Sequence, residues 1–259
     1  MRQTATSQSS GPVLTCTTML APTDSDRPAI LLIHGAANSG AVWTFWQQEL
    51  AAHGWSSYAL DLRGHGKSPP VDLACVSMTD YAHDVRLLLR QLQRPPIVLG
   101  WSMGGLVAMM VAAAGGVAAC VTLAPSTPTR HLDTAVTVRT GVFTAEVYGI
   151  ISMDPDEQSA MPDLDLAERQ VALASLGPES LQARDERQRG IVIDALPCPL
   201  LLITGTRDTL WPSTRYDTLW LPADRLSIDG ASHWGLVLNR RALTSMVPRV
   251  IRWWEQALR

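Results

Sequence analysis

A run of 35 consecutive uncharged residues between Arg94 and Arg130 constrains the fold of this chain more than any other feature. It is longer than the roughly 20 apolar residues that a membrane-spanning helix needs. Five glycines interrupt the run, however, and they coincide with changes between β-type and helical patterns. We therefore predict that the run forms a buried strand, a tight turn, a small-residue helix and a second strand, and not a membrane span.

The same alternation extends along most of the chain. Short apolar runs predict strands, and segments with apolar residues at helical spacing predict the helices between them. The predicted strands are residues 13–19, 29–33, 57–60, 97–99, 117–123, 200–204 and 225–228. The predicted helices are residues 42–53, 80–92, 105–114 and 241–257. This order is typical of an α/β fold with a mostly parallel central sheet and helices on both faces.

One segment, residues 126–190, breaks the alternation. It carries a series of acids followed by several arginines, and a structureless loop of that length is uncommon in a compact domain. We expect it to be an inserted helical lid, with residues 13–125 and 191–259 forming the core. Residues 1–12 are rich in Gln, Ser and Thr and are predicted to be a flexible leader.

Composition excludes several classes of protein. The chain is 46% hydrophobic with a formal net charge of −3, which is not the composition of a disordered protein. A pI near 6.0 offers no general attraction to nucleic acid or to anionic lipid. The four scattered cysteines form no Cys-x-x-Cys pair, and the leader lacks the apolar stretch of a signal peptide. We therefore predict a cytoplasmic protein that binds no nucleic acid.

The most specific motif is Gly-Trp-Ser-Met-Gly at residues 100–104, between the predicted strand 97–99 and the predicted helix 105–114. A Gly-x-Ser-x-Gly sequence in this context predicts a tight turn that presents the serine hydroxyl at the carboxyl edge of a sheet. Bulk at either glycine position would clash in such a turn. Ser102 is therefore the candidate nucleophile.

A nucleophilic serine needs a general base and an acid that orients the base. Among the six histidines, His233 follows the predicted strand 225–228 after a short loop, which places it at the same sheet edge as Ser102. Asp208 comes just after the predicted strand 200–204. It is preferred as the orienting acid over three later carboxylates, Asp217, Asp224 and Asp229.

With these residues the sequence resembles the α/β-hydrolase fold superfamily, in which the triad follows the chain order Ser, Asp, His. The resemblance extends to His-Gly-Ala at residues 34–36, Asp-Leu-Arg-Gly-His-Gly-Lys-Ser at 61–68, and the segments 205–208 and 232–235. The run Gly-Trp-Ser-Met-Gly-Gly-Leu-Val-Ala at residues 100–108 is particularly similar to methyl ester esterases that act on pimeloyl-carrier protein. The resemblance implies a serine esterase with the triad Ser102, Asp208 and His233.

The resemblance also implies an oxyanion hole formed by the backbone N–H groups of Ala36 and Met103, with Ala37 as an alternative donor. Three tryptophans adjoin the candidate catalytic positions and are candidates for the substrate pocket, with core packing as the alternative: Trp101, Trp211 and Trp234.

The expected activity is hydrolysis of a small-molecule carboxylic ester through an acyl-enzyme. No complete nucleotide-binding or metal-binding motif is present, so no cofactor and no metal are predicted. A C–C bond hydrolase or a peptidase on the same triad is an alternative, and so is a non-catalytic ligand-binding protein of this fold. The resemblance also suggests a carrier protein as a partner, which the arginines of residues 184–189 would contact. These arginines are interleaved with acids, however, which favours a solvent-exposed charged helix face without a binding role.

Overall fold

Two parts of the chain, residues 14–22 and 27–259, are described by the computed structural model. The predicted leader, residues 1–12, lies outside these described residues. The strands within them are β1 Thr15–Met19, β2 Ile30–Ile33, β3 Ser57–Asp61, β4 Ile97–Trp101, β5 Ala119–Leu123, β6 Val142–Phe143, β7 Glu179–Ser180, β8 Leu200–Gly205 and β9 Asp224–Ile228. The α-helices are α1 Thr44–Ala52, α2 Met78–Leu89, α3 Met103–Ala113, α4 Leu166–Ala174, α5 Leu181–Arg189, α6 Gly235–Leu238 and α7 Arg240–Ala257.

Seven of the strands form one sheet in the order β1-β3-β2-β4-β5-β8-β9. All neighbouring strands in it are parallel except β1, which pairs antiparallel with β3 at the edge. Alternate residues of β2 contribute to two separate hydrophobic clusters, Ile30 to one and Leu31 to the other. Helices α1 and α7 supply the first cluster, and α2 and α3 supply the second. The predicted mostly parallel sheet with helices on both faces is confirmed.

The uncharged run forms β4, α3 and β5, as the glycine positions predict. Helix α3 begins at Met103, two residues earlier than expected, because the glycines that follow Ser102 are part of its first turn. Helix α2 also begins early, since Ser77 and Asp80 form a capping box ahead of the apolar stripe. Within the described residues, no helix combines the length and the apolarity that a membrane span requires.

Residues 126–190, here called the insertion, lie between β5 and β8. They contain two α-helices, α4 and α5, and also two short strands that the sequence did not predict. Strands β6 and β7 pair antiparallel through Val142 and Ser180. Each has only two residues, too few for an alternating pattern to be visible in the sequence.

Candidate active site

Ser102 occupies the turn between β4 and α3, in the strained backbone conformation φ 55°, ψ −118°. The turn is possible only because Gly100 and Gly104, two residues before and after Ser102, lack a side chain. A Cβ at Gly100 would lie 2.1 Å from the carbonyl oxygen of Gly104, and a Cβ at Gly104 would lie 2.2 Å from that of Ile33. The N–H of Ser102 donates to the carbonyl of Leu123 at 2.9 Å, which holds the strained residue in place.

His233 and Asp208 form a close buried pair at the same edge of the sheet. Nδ1 of His233 lies 2.7 Å from Oδ2 of Asp208. The other carboxylate oxygen, Oδ1, accepts the N–H groups of Leu210 at 3.0 Å and of Trp211 at 2.8 Å. The backbone of residues 210–211 therefore fixes the Asp208 carboxylate. The carboxylate in turn holds the imidazole of His233 with Nδ1 directed toward Asp208. This leaves Nε2 of His233 as the ring nitrogen that can accept a proton.

A cavity of about 180 Å³ brings the predicted site residues together, with the exceptions of Asp208, which lies behind His233, and Met103. Its lining is mostly apolar and consists of Ala36, Asn38, Trp101, Ser102, Tyr148, Leu210, Trp211, His233 and Trp234. The nucleophile candidate and the base candidate thus face one space, next to the loop that carries the candidate oxyanion donor.

The three predicted pocket tryptophans differ in what they contact. Trp101 and Trp234 are almost fully buried and lie against each other, with ring centroids 4.9 Å apart. The indole N–H of Trp101 donates to the backbone carbonyl of His233 at 3.1 Å. Trp211 is half-buried, and the guanidinium of Arg215 lies 4.0 Å from its ring centroid. Trp101 and Trp234 therefore combine core packing with a position at the cavity wall.

The two candidate oxyanion donors on the loop after β2 are in different situations. The N–H of Ala37, which has φ 57°, donates to Oε2 of Glu179 at 3.1 Å. Ala37 is completely buried, whereas Ala36 lines the cavity beside Ser102. Since the amide of Ala37 is already engaged, the geometry favours Ala36. Met103 lies at the first position of α3, where N–H groups have no acceptor inside the helix.

A buried polar cluster lies behind this loop, and sequence reasoning missed its central residue, Glu179. Burial would raise the pKa of Glu179, but the interactions with His65 and the hydrogen bond from Tyr81 lower it to about 2. Burial opposes protonation of His65, yet the Glu179 carboxylate raises its pKa. Burial, together with the charge of His65, lowers the pKa of His34 to about 4. The cluster therefore favours protonation of His65 next to the Glu179 carboxylate and opposes protonation of the neighbouring His34.

A second, cationic groove of about 570 Å³ opens beside the cavity and shares Tyr148 and Trp211 with it. Four arginines from the insertion and the loop after β8 line the groove: Arg184, Arg187, Arg189 and Arg215. One carboxylate, Asp133, is part of its lining.

Residues 30–244 match the model of the Alpha/beta hydrolase family. The chain belongs to this family. Among curated proteins, it is 39% identical over 85 residues to a pimeloyl-[acyl-carrier protein] methyl ester esterase from Aeromonas salmonicida, a match that spans only 33% of this chain and 32% of that protein. The enzyme of the same name from Pectobacterium carotovorum is 26% identical over 84% of this chain and 92% of its own length.

Solved structures show the same fold at low sequence identity. A methylesterase from Arabidopsis has a TM-score of 0.68 at 21% identity, covering 88% of this chain and 100% of its own. A bromoperoxidase from Bacillus anthracis has a TM-score of 0.67 at 18% identity, covering 92% of this chain and 95% of its own. Since the names of these neighbours differ in activity, the fold does not fix the reaction, and the site has to carry the functional argument.

Proposed function

We propose that this protein is a cofactor-independent serine hydrolase that cleaves carboxylic esters through an acyl-enzyme. The observation that carries the proposal is one cavity lined both by Ser102, in its strained turn, and by His233, whose Nδ1 lies 2.7 Å from Oδ2 of Asp208. Membership of the alpha/beta hydrolase family and the esterases among its relatives support the same reaction.

In the proposed reaction, Oγ of Ser102 attacks the ester carbonyl while Nε2 of His233 takes the hydroxyl proton. Asp208 stabilises the imidazolium that forms. The tetrahedral intermediate collapses, the C–O bond breaks, and the leaving alcohol takes the proton from His233. A water molecule then gives its proton to His233 and attacks the acyl-enzyme, which releases the acid and restores the Ser102 hydroxyl.

The negative charge of each tetrahedral intermediate is proposed to lie between the N–H groups of Ala36 and Met103. Met103 adds the positive end of the α3 dipole to this site. A preorganised donor of this kind typically stabilises the transition state by about 3 kcal/mol. Trp101, Trp211 and Trp234 are proposed to form part of the apolar wall against which the ester packs.

We propose that the insertion acts as the lid over this cavity, with residues 13–125 and 191–259 as the core. A small-molecule ester is the first candidate substrate, because the mostly apolar cavity of about 180 Å³ suits a short acyl or alkyl group. An ester tethered to a carrier protein is the second candidate, and the arginine-lined groove beside the cavity favours it. The cytoplasm is the proposed location, because the four cysteines of the described residues are free thiols, which is typical of a reducing compartment.

The test is turnover of p-nitrophenyl esters of increasing acyl length, run beside labelling with a fluorophosphonate probe. We expect the wild-type protein to react with both, and Ser102→Ala to lose labelling and at least about 10⁴-fold in kcat. Ser126→Ala is the matched control, because it keeps its backbone N–H bond to the Ser102 carbonyl and removes a different buried hydroxyl.

An unreactive wild-type protein, or a Ser102→Ala variant that still hydrolyses the esters, would overturn the proposal. Anilide and β-diketone substrates in the same assay separate the alternatives that use the same triad, since a peptidase would cleave the first and a C–C bond hydrolase the second.

A further inference from the structure

The carboxylate of Glu179, in β7, is completely buried and has four donors around it. Oε1 accepts the hydroxyl of Tyr81 at 2.6 Å and the N–H of Ser180 at 2.7 Å. Oε2 accepts the N–H of Ala37 at 3.1 Å, and Nε2 of His65 lies 3.4 Å from it. A buried charge is tolerated only when it is paired and hydrogen-bonded in this way. Of these contacts, the one to Ala37 leads directly to the candidate oxyanion loop.

The insertion holds the same loop at two further points. The N–H of Gly177 donates to the carbonyl of Ala37 at 3.1 Å. Oγ of Ser175 lies 2.8 Å from Oδ1 of Asn38 and 2.6 Å from the carbonyl of Ala172, and Nδ2 of Asn38 donates to the carbonyl of Ala36 at 2.8 Å. Both backbone polar groups of Ala37 are therefore bonded to the insertion, and Asn38 extends the contact to Ala36.

These bonds fix the two peptide planes on either side of Ala36. The plane after Ala36 contains its own carbonyl, held by Asn38, and the N–H of Ala37, held by Glu179. The plane before it contains the Gly35 carbonyl, which lies 2.8 Å from Nδ1 of His34, together with the N–H of Ala36. With both planes fixed, the N–H of Ala36 has one direction, opposite to the Gly35 carbonyl.

We propose that Glu179 is a positioning residue for the oxyanion hole, holding the peptide plane after Ala36 so that the Ala36 N–H stays aimed at the reacting carbonyl oxygen. The inference rests on the proposed esterase function. It gives the insertion a role beyond covering the cavity, because an acid carried by the insertion sets the geometry of a donor carried by the core.

The replacement Glu179→Gln tests this with almost no change in shape. Oε1 has the two shorter contacts, 2.6 Å to Tyr81 and 2.7 Å to Ser180, whereas on the Oε2 side Ala37 lies at 3.1 Å and His65 at 3.4 Å, so the amide oxygen of glutamine takes the Oε1 position. Its NH₂ group then faces the N–H of Ala37, a donor against a donor, and the peptide plane after Ala36 loses its acceptor. Losing an oxyanion donor outright costs about 10²–10³ in kcat, so we expect a misaimed donor to cost about 10- to 100-fold.

The kinetics are measured on p-nitrophenyl esters, with rates normalised to the active sites titrated by a fluorophosphonate. We expect kcat to fall while KM changes less than about threefold, and the affinity for an aryl boronic acid to fall in parallel with kcat. The boronic acid reports the oxyanion hole, since its adduct on a serine is tetrahedral and anionic. General damage to the fold would instead lower the titrated fraction and leave the normalised kcat unchanged.

Glu168→Gln is the matched control, because Glu168 is a buried carboxylate of the same insertion whose partners are its own helix cap and Arg240. We expect it to keep the wild-type kcat. An active wild-type enzyme with an unchanged normalised kcat in Glu179→Gln would overturn the positioning role and leave the esterase proposal intact. An inactive wild-type enzyme would instead overturn the esterase proposal.

If Glu179→Gln does not fold, Asn38→Ala releases the same peptide plane from its carbonyl side. We then expect the normalised kcat and the boronic acid affinity to fall together by about tenfold. An unchanged kcat and affinity in a folded Asn38→Ala would overturn the inference.

Discussion

Replacing Asp208 by asparagine exchanges one oxygen of the proposed triad for an NH₂ group. The hydrogen bonds around Asp208 determine which of the two carboxylate positions the NH₂ group occupies. Oδ1 of Asp208 accepts two backbone N–H groups, from Leu210 and Trp211, while Oδ2 lies 2.7 Å from Nδ1 of His233. An NH₂ group in the Oδ1 position would face two donors, so the amide oxygen takes that position. The NH₂ group is then directed at Nδ1 of His233.

This orientation determines the size of the effect. Nδ1 has to accept the new N–H, which places the imidazole proton on Nε2, and His233 in that tautomer cannot take a proton from Ser102. The same change in the general Ser-His-Asp mechanism lowers kcat by about 10⁴-fold. We therefore expect Asp208→Asn to lower kcat by about 10³- to 10⁴-fold, equivalent to about 4–5.4 kcal/mol of transition-state stabilisation.

The assay is steady-state hydrolysis of a p-nitrophenyl ester, with the Tm of each variant as the test of folding. Asp229→Asn is the matched control, since Asp229 is an exposed carboxylate just after β9 that accepts the Thr206 hydroxyl at 3.1 Å. We expect the control to keep its activity within about twofold. An Asp208→Asn variant that folds normally and keeps more than a tenth of the wild-type kcat would refute the reasoning.

Three further predictions concern the packing around the site. Trp101→Phe removes the 3.1 Å hydrogen bond from the indole N–H to the His233 carbonyl. Because this bond helps to position His233 and is worth about 1 kcal/mol, we expect kcat to fall three- to tenfold. An unchanged kcat would contradict this prediction. Gly104→Ala brings a Cβ within 2.2 Å of the Ile33 carbonyl and should lower the Tm by more than about 5 °C, whereas Gly177→Ala, where the Cβ meets nothing within 4 Å, should not. Burial, together with the charge of His65, lowers the pKa of His34 to about 4, whereas a histidine in the unfolded chain has a pKa of about 6.5. The unfolded chain therefore binds an extra proton between these values, and the free energy of unfolding should fall by about 1 kcal/mol from pH 6 to pH 5 in denaturant titrations. His65, whose pKa is raised, is protonated in both states below about pH 6.5 and adds little slope there, so a flat profile would contradict the neutral burial of His34.

Sequence patterns predicted the parts of the molecule that depend on local backbone geometry. Gly100 and Gly104 are recognisable in the sequence as a motif, because the turn requires glycine at both positions. A Cβ at either position would lie about 2 Å from another backbone segment. Asp208 and His233 follow strands β8 and β9, which are recognisable from short apolar runs, and parallel strands bring their carboxyl ends to one edge. The sheet could therefore be assembled, and a candidate functional edge proposed, without any long-range information.

The contacts between the insertion and the core could not be predicted in this way. Glu179 and Ala37 are 142 residues apart, and nothing in the residues around Glu179 indicates that its carboxylate is buried. The same holds for Asp163, which accepts the N–H of Ser232 on the loop that carries His233, at 2.9 Å. Contacts of this kind depend on how the insertion packs against the core. The local spacing of apolar residues, which predicts helices and strands, does not predict such contacts.

The most direct test of the central claim is to identify the residue that a fluorophosphonate modifies, by intact-mass and peptide mass spectrometry. A serine nucleophile activated by the proposed triad predicts one adduct per chain, located on Ser102, and absent from Ser102→Ala. It also predicts labelling that is slower by orders of magnitude in Asp208→Asn. An adduct on another residue, or an enzyme that hydrolyses esters while Ser102 stays unmodified, would contradict the proposal that Ser102 is the nucleophile.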